Sequence, residues 1–111
     1  MPFNVGNSKF MNQKTVLDGI KFDSKREANR WFQLKLLERA GEIVNLERQK
    51  AFKFVINDVN VCTYRSDFSY KDRSGAFIVE DVKSDFTKKI PTYVIKKKLM
   101  KAVYGIDVRE V

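Results

Sequence analysis

Asp67, Asp81 and Lys83 are the side chains whose types and spacing best suit hydrolytic chemistry. They sit in two neighbouring strand-like segments, Tyr64-Arg65-Ser66-Asp67-Phe68 and Val79-Glu80-Asp81-Val82-Lys83. Side chains alternate along a strand, so Asp81 and Lys83, two residues apart, leave the same face. Pairing of the two segments across the turn at Lys71-Asp72-Arg73-Ser74-Gly75 brings Asp67 to the same spot. Two carboxylates and an ammonium then surround one small volume that suits a divalent cation. Glu80 has the opposite parity and is expected on the other face, as a salt-bridge or edge residue.

The chemistry such a trio serves is phosphodiester cleavage. A phosphodiester repels hydroxide, and a divalent metal both neutralises its charge and lowers the pKa of a coordinated water. Two carboxylates would anchor the cation. A lysine beside two carboxylates is better suited to orienting the attacking water or stabilising charge on the phosphoryl oxygens than to abstracting a proton, and that is the part expected of Lys83.

Composition narrows the alternatives. The chain has no histidine, which excludes a Ser-His-Asp triad, a His-based zinc site and a nuclease with a histidine base. One cysteine, Cys62, excludes a thiolate zinc cluster and an internal disulfide, and is read as a small buried hydrophobe in a reducing cytoplasm. Carboxylate oxygens remain as ligands, and they favour magnesium or manganese. The net charge of +8, from 22 Lys plus Arg against 14 Asp plus Glu, points to a polyanionic partner, with nucleic acid foremost. Its densest part is Phe86 to Gly105, which carries Lys88, Lys89, Lys96, Lys97, Lys98 and Lys101 and no acid. Such lysines would hold phosphates without reading sequence. No run approaches the roughly 18 apolar residues of a membrane span, and Met1 to Thr15 lacks the apolar block of a secretory signal, so a cytoplasmic protein is expected.

At 111 residues one domain is expected, with residues 1–13 a flexible lead-in and 14–111 the folded unit. Asp18-Gly19 between Thr15-Val16-Leu17 and Ile20-Lys21-Phe22 predicts a tight hairpin. Ser24 to Ala40 is the clearest helix, opened by a Ser24 to Glu27 capping box and stopped at Gly41. Trp31 and Phe32 are read as core residues. From Ile43 to Tyr70 the period becomes two, giving strands at Ile43 to Arg48, Ala51 to Asn57 and Val61 to Tyr70, then Ala76 to Lys83, as an antiparallel meander. A second helix is expected from Pro91 to Tyr104, where Tyr93 is read as a packing residue. A last strand, Ile106 to Val111, joins parallel to Ala76–Lys83 through that helical crossover.

The Asp67, then Asp81-Val82-Lys83 arrangement resembles the signature of the PD-(D/E)XK nuclease superfamily. Together with Gly19 to Ala28, Leu46 to Gln49, Ser66-Asp67-Phe68 and Val79 to Lys83, it is similar to a family of small phage and prophage endonucleases, over roughly Lys14 to Val111. The resemblance implies an α/β (α+β) restriction-endonuclease-like core, a mixed sheet flanked by two main helices, and magnesium-dependent cutting of DNA. It implies roles too: Asp67 and Asp81 as the metal-binding pair, Glu27 as the upstream acid and a further metal ligand, Lys83 as the catalytic lysine and Gln49 as a glutamine of the same catalytic site. Ser66 stands where that family has proline, a departure that affects only backbone shape. Branched replication or recombination intermediates are the substrates expected of a phage enzyme, and paired cuts would suit a homodimer. Two readings stay open beside it: a non-catalytic DNA-binding module, and an RNA-directed nuclease, since metal and phosphate are common to both nucleic acids.

Overall fold

Ser24 sets where the first helix begins. In the computed structural model, which describes residues 4–5, 15–17 and 19–111, its backbone is extended and its Oγ accepts the Glu27 amide at 3.1 Å. Helix α1 (Lys25–Arg39) follows. It ends at Gly41, whose φ of +80° is open to glycine at no steric cost. The Gly41 amide bonds the Glu38 carbonyl and the Glu42 amide that of Leu37, a Schellman closure. Only half of the expected capping box forms. Among the described residues no bond returns from the Glu27 carboxylate to Ser24, and that carboxylate is left for other partners.

Among the described residues three short strands precede the helix: β1 (Asn4–Val5), β2 (Thr15–Leu17) and β3 (Ile20–Phe22). The expected hairpin forms, with β2 antiparallel to β3. The expectation of a flexible stretch over 1–13 lies outside the described residues, apart from Asn4–Val5, which pair with Thr15 and Val16.

The remaining strands are β4 (Ile43–Arg48), β5 (Ala51–Ile56), β6 (Val59–Arg65), β7 (Phe68–Asp72), β8 (Phe77–Asp81) and β9 (Arg109–Glu110). They do not form the simple meander. The main sheet runs β4-β7-β8-β9, and β5 and β6 leave it as a separate hairpin. Two local features cause the departure. Gln49 sits at φ +53°, turning the chain out of β4, and the run read as one strand over Val61 to Tyr70 breaks at Ser66 and Asp67. There the Ser66 amide bonds Lys50 O and the Asp67 amide bonds the Asp81 side chain, so neither joins the ladder. Within β4 the register shifts between Val44 and Glu47, where Asn45 takes φ +58°.

A single 3₁₀ turn (Thr87–Lys89) leads into α2 (Pro91–Leu99), opened by its proline. The last turn, Met100–Tyr104, widens to π geometry before Gly105 stops it at φ +70°. The crossover delivers β9 parallel to β8, as the sequence predicts. The fold is therefore α+β, a mixed sheet between two main helices. None of the described helices is long and apolar enough to cross a membrane.

Strand parity divides the sheet into two layers. On one face Phe68 and Tyr70 meet Phe22, Trp31 and Leu34 beneath α1. On the other, Val79 joins Phe52, Phe54 and Tyr64 of the β5–β6 hairpin, Tyr93 of α2 and Met100. Trp31 is core, as expected, whereas Phe32 is 48% exposed on the outer side of α1.

Glu80 takes the α1 face, as its parity requires, and is fully buried. Arg30 grips both of its oxygens, Nε to Oε1 at 2.8 Å and Nη2 to Oε2 at 2.6 Å, and the Tyr70 hydroxyl donates to Oε2. A forked guanidinium on a carboxylate is among the stronger pairings a protein makes. Arg30→Met would leave Glu80 buried without its counter-charge. The expected cost is about 2–3 kcal/mol in a urea melt, below the full value for a wholly buried pair because Arg30 is partly exposed. A midpoint unchanged from wild type would show that the pair does not tie α1 to the sheet.

Candidate active site

The break at Ser66 and Asp67 is what builds the site. Because the Asp67 amide is turned out of the ladder, it donates to Asp81 Oδ1 at 3.0 Å, and Asp67 Oδ2 in turn accepts the Val82 amide at 2.8 Å. The two acids thus clasp each other's strands. Antiparallel pairing of β7 with β8 holds Phe68 opposite Glu80, which sets Asp67 beside Asp81 across the end of the ladder. Beyond β8 the chain continues extended, with Lys83 N bonding Val111 O and Val111 N bonding Asp81 O. Lys83 therefore keeps Asp81's parity. Its Nζ lies 3.9 Å from Asp81 Oδ2 and 4.3 Å from the centre of the Tyr93 ring.

The structure brings Asp67, Asp81 and Lys83 together, as their spacing predicts. Glu27 joins them from the first turn of α1. It is only 6% exposed, and the charges of Asp67 and Asp81 both act on it. Gln49 stands next to the cluster by its backbone alone: its amide bonds Asp67 O while its side chain lies exposed at the surface.

Electrostatics mark the cluster as short of positive charge. Burial, then the charge of Asp67, pushes the Asp81 carboxyl up to about 7, against the opposing pull of the Tyr64 hydroxyl and Lys83. Burial, followed by the charges of Asp67 and Asp23, pushes Glu27 up to about 7, with Arg48 pulling the other way. Asp67 is raised by burial too, and its bond from the Val82 amide resists the shift. Like charges crowded in a poorly solvated place disfavour ionisation, and a bound cation reverses that.

The donor set fits a hard divalent cation, being oxygen-only and built on two adjacent carboxylates. Among the described residues no group of three acidic side chains is placed to hold an ion together. Magnesium needs no such cage, since it usually takes one or two carboxylates and completes its shell with water and substrate phosphate. Asp67 and Asp81 would hold it, with Glu27 within reach as an electrostatic partner.

Three contributors had no signal in the sequence. Tyr64, on β6, donates its hydroxyl to Asp81 Oδ2 from across the hairpin, 17 positions away. Arg48 lies over the Phe22 ring at 4.8 Å from its centre, with its buried Nε unpartnered, and offsets Glu27. Asp23 adds a further negative charge near Glu27 and Asp67. Tyr93 was legible as a packing residue, and it packs, but its hydroxyl also donates to Glu110 at 2.8 Å beneath Lys83.

The lysine-rich stretch is less bare of acid than its own sequence suggests, because other segments supply partners. Lys88 pairs with Asp85, Lys97 with Glu110 and Lys101 with Asp107. Lys89, Lys96 and Lys98 enter no ion pair among the described residues.

No curated protein and no solved structure matches the chain. The match to a family model over residues 7–110, nearly the whole of its length, makes the chain a member of DUF1064, a family described as a protein of unknown function.

Proposed function

We propose that this protein is a divalent-metal-dependent endonuclease of PD-(D/E)XK type that hydrolyses phosphodiester bonds in DNA. The observation that carries the reading is the mutual clasp of Asp67 and Asp81 beside Lys83, at the mouth of a basic surface. A bound magnesium or manganese ion would supply charge neutralisation and an acidified water.

The chain's own residues then have definite tasks. Asp67 and Asp81 anchor the cation. The Tyr64 hydroxyl and the Asp67 amide fix the plane of the Asp81 carboxylate, so little reorganisation is needed on binding. Lys83, held over the Tyr93 ring and close to Asp81, presents its ammonium to a non-bridging phosphoryl oxygen or to the attacking water. In the net reaction water oxygen bonds to phosphorus, one bridging P–O bond breaks, and the departing oxygen takes a proton. Glu27, whose carboxyl burial and the charges of Asp67 and Asp23 push up to about 7, would add its negative charge to the hold on the cation once ionised.

The test is a cleavage panel with linear duplex, single strand, fork, four-way junction and structured RNA, each with magnesium and with chelator. Metal-dependent cutting of at least one DNA substrate is expected, strongest on branched forms. Cutting of RNA alone would move the assignment to an RNA-directed nuclease. Binding without cutting, for every substrate and metal, would leave a DNA-binding module in its place.

A further inference from the structure

We infer that the phosphate backbone of one nucleic-acid strand lies along a continuous basic trough, in which the first turn of α1 holds phosphate on the far side of Lys83 from α2. The identity of the ligand rests on the function proposed above. The trough itself rests on three adjoining cavities.

The first, of about 460 Å³, is lined by Lys25, Arg26 and Asn29 of α1, with Val82 and Val111 at its floor. The second, of about 510 Å³, shares Arg26 and Val111 with the first and adds Lys83, Ser84 and Lys88. The third, of about 430 Å³, shares Lys88 and Glu110 with the second and continues along Lys97, Lys98 and Lys101. End to end they make one channel, with Lys83 at its middle and the buried Asp81 just behind it.

The charges along this channel are unequal. On the α2 side Lys88, Lys97 and Lys101 are each engaged by an acid, and of the lining lysines there Lys98 alone enters no ion pair among the described residues. On the α1 side Arg30 is held by Glu80, but Lys25 and Arg26 are exposed and take part in no ion pair among the described residues. They offer charge that costs no existing pair to use. Cations on both sides of the candidate reactive lysine outnumber the acids Asp85, Asp107 and Glu110 that line the same cavities, and this net positive surface matches a flexible polyanion with regularly spaced charges. Charge complementarity therefore favours a nucleic-acid strand over an acidic protein surface.

Binding in chelator, where no cutting occurs, isolates the claim. A labelled single strand and its duplex are titrated across a salt series with the full chain and with Lys25→Gln/Arg26→Gln. Loss of two phosphate contacts should reduce the slope of log affinity against log salt by roughly 1.4 for the strand and roughly 1.8 for the duplex. The same change at Lys71 and Arg73, at the far end of the β7–β8 hairpin, should leave the slope unaltered. Asn29→Lys should steepen it by roughly 0.7 to 0.9, a gain that impaired folding would not produce.

An unchanged slope in the double variant, with wild-type binding intact, overturns the trough and leaves the nuclease reading standing. Wild type that binds neither form at any salt in chelator overturns the trough, and the nuclease reading is then decided by the metal-dependent cleavage panel alone. Displacement of DNA by polyglutamate at equal charge concentration overturns the nucleic-acid occupant.

Discussion

Asp81→Asn is expected to slow magnesium-dependent cleavage by at least ~10³-fold and, at the same time, to make the metal-free protein more stable above neutral pH. The loss follows from removing one of two anchors of a Lewis acid whose effect on the transition state is worth several kcal/mol. The gain follows from the same side chain. Asp81 is 3% exposed and its carboxyl is pushed up to about 7, so at higher pH it carries a charge the fold opposes. Asparagine keeps the shape and an acceptor for the Asp67 amide without that charge. Single-turnover cleavage rates and thermal melts in chelator measure the two effects. A variant that cuts at the wild-type rate would end the assignment of Asp81 as an anchor. One that loses activity and stability together would reduce Asp81 to a structural residue.

The second large effect concerns wild type without metal. Asp81 and Glu27 both bind a proton more tightly when folded than when unfolded. Between about pH 4 and about pH 7 the folded state therefore holds more protons, and the unfolding free energy falls as pH rises. Below that window both groups are protonated in either state and the penalty is absent; above it the penalty is complete. Asp72 and Glu110, held low, act in the opposite sense, but weakly because solvent screens them. From about pH 5 to about pH 8 in chelator we expect a loss on the order of 2–4 kcal/mol. Magnesium at about 100 times its dissociation constant should return about 2.7 kcal/mol at the higher pH, and far less at the lower, where protons occupy the carboxylates. Melts that are flat with pH and indifferent to magnesium would show that these acids are not crowded as described.

Much of this was readable in the residues, and what was not has a physical cause. Ser24, Gly41, Asp18-Gly19 and Pro91 act through neighbours a few positions away, so the helices and the first hairpin follow from local pattern. Parity along β8 is local as well, which is why the separate destinations of Glu80 and Asp81 were legible. The skip of β4 past the β5–β6 hairpin to β7 was not, because strand partners are chosen by contacts distant in sequence. The break at Ser66 and Asp67 depends on a side chain 14 positions away taking a backbone amide, and alternation alone cannot show it. Tyr64 was hidden for the same reason, because the acid its hydroxyl meets lies 17 positions away in the chain. Glu27 had two readings in the sequence, and the geometry leaves its carboxylate free of the capping bond.

The opposed fates of Glu80 and Asp81 carry a consequence for how this segment can change. Two acids stand next to each other in the chain, one clamped to Arg30 and the other facing Lys83. Deleting or inserting a single residue between Gly75 and Glu80 would exchange them, sending the longer acid toward the cation pocket and stranding the shorter one beneath α1, out of reach of its arginine. The hairpin turn before β8 can thus be recut only in steps of two, a rule imposed by counting and indifferent to which amino acids are used.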